Sequence, residues 1–414
     1  MHGEASGSDF PKVPLGSLLT QKPKNGYSPK DVPGWTGLQA LGLGCLTATG
    51  FAPVQLKNVP DTALARRSLL ADGDLLMSRA NTRELVGLVG RFTGTGHDCI
   101  YPDLMMRLRP DEALCLPAYL EIVLRSDRVR RDVRAGARGT SDSMVKISAP
   151  LVEGLEIPLP RIEEQHQIVG THVAFGRRIT ALEQVRRKLV ETKHAALSEG
   201  LNGQRRTLLL DDLLEEIQSG WSPACDSYPP GADEWGVVRV SAVTSGRFDP
   251  VESKRLPPGL QPRALLEIEE GDVLVARANG ARSLVGAVCY VGPTRRGLML
   301  SDKTLRLVPR LASAEPKFLA LLLASDEVRS QIGNLLNGGT GQNNISQADL
   351  RSLKVPVVPI EEQRRLVAAQ AFFQRRIEAL EVQAAKLRTV QQGVVEDLLA
   401  GRVHIPEVAS VEAA

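Results

Sequence analysis

Ile162–Gln165 read IEEQ, and the same four letters return at Ile360–Gln363, 198 positions later (360 − 162). From there "IEEQHQIVGTHVAFGRRITALE" aligns without gaps to "IEEQRRLVAAQAFFQRRIEALE", so that Arg177, Arg178, Ile179, Ala181, Leu182 and Glu183 meet Arg375, Arg376, Ile377, Ala379, Leu380 and Glu381. Earlier, "GDLLMSRAN" (Gly73–Asn81) matches "GDVLVARAN" (Gly271–Asn279), each followed by LVG. RLRP pairs with RLVP, SDRVR with SDEVR, GTSDSMVKIS with GTGQNNIS, and GLEIPLP with SLKVPVV. A doubled unit constrains the fold more than composition does, because whatever core one copy closes the other must close again. Two copies make a domain pair; a solenoid needs three or more short units. The 414 residues suit two domains, and 43% hydrophobic with 24% charged residues is globular.

Each unit has two parts. The first mixes short β-rich runs, such as "GVVRVSAV" (Gly236–Val243) and "DVLVARA", with Gly and Pro punctuation, which reads as α+β. The second starts at Glu163 or Glu361 and runs without proline in Leu, Ala, Glu, Gln, Arg and Lys, which predicts a long helix. Pro160 and Pro359 precede it, and acidic residues in its first turn suit the positive end of the helix dipole. Apolar residues recur every seventh position, at Ile168, Phe175, Leu182, Leu189 and Ala196, then at Leu366, Phe373, Leu380, Leu387 and Val394, as in a coiled-coil seam. Intermediate positions are mixed: Ile179 and Ile377 fit, whereas His172, Arg186, Gln370 and Gln391 do not. About 36 residues at about 1.5 Å each give a rod of about 54 Å, a spacer for two globular heads.

Several function classes lose their footing. No apolar run is long enough to span a membrane and no secretory signal opens the chain, so a cytoplasmic protein is expected. Cys45, Cys99, Cys115, Cys225 and Cys289 are scattered and unpaired, which argues against a disulfide framework or a structural zinc site. No GxxxxGK[ST] loop, HExxH or Asn-Pro-Pro-aromatic quartet is present, and "GLQALGLGCLTATG" (Gly37–Gly50) lacks the GxGxxG spacing. His166 and His172, six apart, fall on different helix faces, so no metal is expected. A net charge of +3 neither announces nor excludes nucleic acid.

Polar clusters at matching positions are the candidates for DNA contact. Arg79, Asn81 and Arg83 parallel Arg277, Asn279 and Arg282 just after a β run, and Arg and Asn suit bidentate contacts to guanine and adenine edges. The same stretch also reads as a hairpin turn in which Asn takes a left-handed backbone. The segments Gly139–Ser143 and Gly339–Asn344, with Thr140, Ser141, Thr340, Gln342, Asn343 and Asn344 and the nearby Lys146, offer small donors to phosphates, or else a capped connection. "LRSDRVRRDVRAGAR" carries arginines 125, 128, 130, 131, 134 and 138, either a solvated face or a phosphate track. The carboxylates of the two IEEQ segments read as dipole compensation and partner contact.

In its order of parts, variable domain, "GLEIPLPRIEEQ" with a long helix, variable domain, "SLKVPVVPIEEQ" with a long helix, and in the "GTGQNNISQADL" before the second junction, the chain resembles a specificity (S) subunit of a type I restriction-modification system from about Pro11 to Val403. The first copy departs from this pattern with GTSDS where the second keeps GTGQ. The resemblance implies an α+β fold with two similar target recognition domains, 1–158 and 204–357, separated by antiparallel helices at 159–203 and 358–404, with a tail at 405–414. It implies a bipartite double-stranded DNA target. It also implies two methyltransferase subunits docked on the helices, with Glu163, Glu164, Gln165, Glu361, Glu362 and Gln363 as docking residues, and restriction subunits joining them. No catalytic residue, metal or cofactor of its own is expected, S-adenosylmethionine belonging to the methyltransferase. The competing readings are a self-sufficient DNA methyltransferase with divergent motifs and a coiled-coil structural or regulatory protein without DNA specificity.

Overall fold

The structure is a computed structural model that describes residues 10–139, 144–202, 206–339 and 342–403. Its contacts divide the chain into two units, Met1–Leu182 with Gln383–Ala414, and Glu183–Val382. The division passes through both long helices, Ile162–Asn202 and Ile360–Leu399.

In the first unit a four-stranded antiparallel sheet runs in the order Lys24–Asn25, Met105–Leu108, Leu75–Ser78, Val89–Arg91. In the second the order is Leu214–Ser219, Thr304–Pro309, Val273–Ala276, Val288–Tyr290, again antiparallel. The strands of the GD repeats are buried at every position because each divides its side chains between two cores. Leu75 and Met77 enter one cluster and Leu76 another, while Val273 and Val275 enter one and Leu274 and Ala276 another. Each unit also carries a three-stranded sheet with one parallel and one antiparallel pair, Asp98–Ile100, Leu38–Leu41 and Leu56–Asn58 in the first, Leu298–Met299, Gly236–Val238 and Ser253–Arg255 in the second.

Two helices cover the four-stranded sheet in each unit, α1 (Pro117–Arg125) and α2 (Asp127–Gly136) in the first. The first long helix, α3 (Ile162–Asn202), follows. In the second unit α4 (Pro316–Ala324) and α5 (Asp326–Leu335) precede the second long helix, α6 (Ile360–Leu399). Ser126 ends α1 and caps α2 by accepting from the Val129 N–H, which sets the bend between them.

Both long helices are shorter than the sequence ranges. α6 stops at Leu399 because Gly401 takes φ +67° and closes a Schellman turn, with Gly401 N–H donating to Leu398 O and Arg402 N–H to Asp397 O. The seventh-position residues of both helices are all at least half-buried. In the first unit Ile168 packs in one cluster with Val395, Leu398 and Leu399; in the second Leu201 shares a cluster with Leu366. The positions that broke the apolar pattern make polar cross-helix contacts. Gln391 Nε2 donates to His172 O at 2.9 Å, Gln370 Nε2 to Lys193 O at 2.9 Å, Lys193 Nζ to Gln374 Oε1 at 2.6 Å, and Arg186 pairs with Glu381 at 3.4 Å. Within the second unit the partner number falls along α6 as it rises along α3, so the two helices run antiparallel there.

Each four-stranded sheet buries one matched ion pair, Arg107 with Asp74 at 3.1 Å and Arg306 with Asp272 at 2.9 Å. Burial, more than Arg306 offsets, holds the Asp272 carboxyl above the usual range, as desolvation of a buried pair does. Asp272→Leu and Arg306→Met should each cost about 3–5 kcal/mol by stranding the other charge, and the double substitution much less than their sum. Urea unfolding of the four proteins measures it, and additive losses would contradict this account.

Candidate nucleic-acid interface

Arg79 and Arg277 leave the central strand between two loops that hold their backbone. Arg79 N–H donates to Leu104 O and its carbonyl accepts from Ile147 N–H; Arg277 does the same with Lys303 O and Ile345 N–H. Both side chains are half-buried, and the Arg79 guanidinium also reaches Asp103 O at 3.4 Å. The next two residues form a short ladder, Ala80–Asn81 with Val145–Lys146 and Ala278–Asn279 with Gln342–Asn344. The Arg-Ala-Asn repeats and the segments after α2 and α5 are thereby neighbours in each unit, with Lys146 and Asn344 exposed and Asn343 half-buried beside them. Thr140, Ser141 and Thr340 lie outside the described residues, and for Gln342 only the backbone is described.

A tight turn follows each ladder. Asn81 Oδ1 accepts from Thr82 N–H at 2.8 Å and Asn279 Oδ1 from Ala281 N–H at 3.0 Å, so both asparagines shape the turn through their side chains. Neither is left-handed, which corrects the backbone expectation; the left-handed positions are Gly87 and Gly286, each at φ +73°. A Cβ there would lie 2.3 Å from Val133 Cγ1 or 2.7 Å from Ile332 Cγ2, so glycine is required on both counts.

In each unit one guanidinium from the covering helix spans two carbonyls of the turn, and one from the turn answers. Arg130 donates to Val86 O at 2.5 Å and Glu84 O at 2.6 Å; Arg329 donates to Val285 O at 2.8 Å and Ser283 O at 2.7 Å. Arg83 reaches Arg134 O at 3.4 Å, and Arg282 reaches Gly333 O at 2.6 Å. Arg130 is only 6% exposed, so this member of the arginine run belongs neither to a solvated face nor to a phosphate track. Burial pushes its guanidinium down to about 10 with Arg134 adding to the effect, and burial also lowers Arg329.

A second matched element escaped the sequence reading because its spacing differs from that of the main repeat. Gly26-Tyr27-Ser28-Pro29 and Gly220-Trp221-Ser222-Pro223 enter the same sheet edge. Ser28 Oγ bonds Asp103 Oδ1 and Ser222 Oγ bonds Asp302 Oδ1, each at 2.5 Å, beside the loops that hold Arg79 and Arg277. A Cβ at Gly26 would fall 2.0 Å from Tyr101 O, and one at Gly220 2.3 Å from Leu300 O. The "G-aromatic-S-P" identity was the available signal.

At the head of each long helix the IEEQ residues separate into two kinds. Gln165 is 0% and Gln363 1% exposed. Gln165 donates to Leu114 O and Pro160 O and accepts from Leu116 N–H; Gln363 donates to Ser313 O and Val358 O and accepts from Glu315 N–H, all at 2.8–3.0 Å. Both are internal clamps between helix and head, and a docking role for their amides is corrected on that ground. Glu163 and Glu361 are exposed, while Glu164 accepts from Arg161 N–H and Glu362 pairs with Arg365. Gln363→Ala leaves three buried backbone groups unpaired and should cost about 2–4 kcal/mol in chemical unfolding, with Glu361→Ala near neutral.

Among the described residues no cluster of three or more His, Cys, Asp or Glu could hold a metal, and no helix is long and apolar enough to cross a membrane. Cys45, Cys99, Cys115 and Cys289 are buried thiols, and Cys225 is half-buried.

Residues 261–387 match the type I restriction modification DNA specificity domain. The chain is 32% identical over 185 residues to the type I restriction enzyme EcoEI specificity subunit of Escherichia coli, an alignment covering 44% of this chain and 30% of that one. It is 21% identical over 350 residues to the EcoKI specificity subunit of Escherichia coli K12, covering 80% of this chain and 72% of the other. Its fold is similar to a chain solved in a study of complex assembly and conformational transition of the type I R-M system, with TM-score 0.63, 19% identity, and 95% of this chain and 98% of that chain covered. By these likenesses residues 261–387 are similar to the type I restriction modification DNA specificity domain, and the chain is similar over most of its length to specificity subunits of type I restriction enzymes.

Proposed function

We propose that this chain is the DNA-reading subunit of a type I restriction-modification complex, carrying two target recognition domains, 1–158 and 204–357, each assigned to one half of a bipartite double-stranded site. The observation that carries the reading is the twice-built turn. In each unit Arg, Asn and Arg follow the end of an interior strand of an equivalent sheet, next to an exposed basic residue, Lys146 in the first unit and Lys303 in the second. Arginine and asparagine there match the donor and acceptor edges of guanine and adenine, and the small polar residues after α2 and α5 match backbone phosphates.

In this reading α3 and α6 pair as an antiparallel coiled coil whose length sets the gap between half-sites. Two methyltransferase subunits dock on the helices near Glu163, Glu164, Glu361 and Glu362, restriction subunits join them, and the complex works in the cytoplasm. S-adenosylmethionine is held by the methyltransferase, and this chain has no catalytic site of its own.

Arg277→Ala should relax or abolish preference at one half-site only, by about 1–3 kcal/mol, in a binding selection on randomised split DNA. Equal weakening on every sequence would mark a phosphate contact instead. Deleting four residues from one long helix should change the selected gap and leave both half-sites as they were; an unchanged gap rejects the ruler. The pure chain incubated with labelled methyl donor and DNA should transfer no label.

A further inference from the structure

We propose that Arg130 and Arg329 are positioning residues for sequence reading, each holding one DNA-facing turn, 81–87 or 279–286, in the shape that presents its Arg-Ala-Asn group. The inference rests on the DNA-reading function proposed above and names residues that do not themselves face DNA.

Four observations converge. Each guanidinium spans two carbonyls of its turn, Glu84 and Val86 or Ser283 and Val285, as only a planar fork can. No carboxylate pairs with either one among the described residues, so the turn carbonyls are the groups that compensate each buried charge. The turn answers with an arginine to the last turn of the same helix, Arg83 to Arg134 O and Arg282 to Gly333 O. The left-handed Gly87 and Gly286 let the turn approach until a Cβ would stand 3.0 Å from Arg130 Nη1 or 2.8 Å from Arg329 Nη1. The arrangement is built twice on side chains that otherwise differ, Glu84 against Ser283 and Thr82 against Ala281. What the two units share is the geometry of the clamp, and what differs is what the turn displays.

An alternative role is bulk stability, since a buried arginine also ties helix to sheet. Arg329→Lys separates the two, because lysine keeps the charge and the stem but bridges carbonyls as a single point. Hydrogen exchange on the full chain should show amides of 281–287 exchanging at least about tenfold faster in Arg329→Lys, with the strand Val273–Ala276 unchanged. The same variant in a split-site binding selection should lose about tenfold discrimination at one half-site and none at the other. Arg329→Met with millimolar guanidinium added should recover part of that discrimination. Unchanged exchange at 281–287 overturns the clamp whatever the DNA result. Faster exchange with unaltered half-site preference overturns its role in reading while leaving DNA recognition intact. A wild-type chain that selects no sequence removes the function on which the inference stands.

Discussion

At the junction of head and helix in either unit stands one buried primary amide. Gln165 and Gln363 each satisfy three backbone groups that a loop crossing an apolar core would otherwise leave bare. Next to the amide a short antiparallel ladder, Lys12–Pro14 with Glu156–Pro158 or Thr207–Leu209 with Lys354–Pro356, pins the segment entering the helix to the start of the head. A helix attached by an amide, a ladder and a shared core behaves as part of the head. Arg79, Asn81 and their counterparts therefore inherit a fixed direction relative to the first turns of the helix.

The duplication was legible because it is written in the residues that packing and hydrogen bonding cannot vary. Glycine at a left-handed turn, glutamine at a buried junction and the aspartate of a buried pair all fall in strings that repeat. The long helices were legible for a second reason, namely proline-free composition and seventh-position apolar residues. The surface roles were less so. Sequence pattern cannot distinguish an arginine that faces solvent from one that turns inward to carbonyls, so Arg130 stood in a run with its exposed neighbours until its partners were visible. IEEQ carried the same ambiguity, since two charged letters beside a glutamine suggest a surface, while helical geometry sends the fourth letter inward.

The candidate interface shows how a frame repeated within one chain can carry different content. The apolar strand behind it serves two cores, the glycine lets the turn approach, and the arginine fixes it. None of these contributes a hydrogen-bonding edge to a nucleic acid. The residues proposed for that role, Arg79, Asn81 and Arg83 with Arg277, Asn279 and Arg282, lie at the end of the strand and in the turn.

The two polar rungs between the long helices have a consequence of their own. His172 and Gln370 occupy the same position in the two copies, as do Lys193 and Gln391, so one crossing is made twice with its partners exchanged. Sliding one helix along the other would part Gln370 from the Lys193 carbonyl and strand a buried amide, at about 1–3 kcal/mol. Each rung thus favours one alignment of the two helices, which apolar contact by itself specifies less sharply.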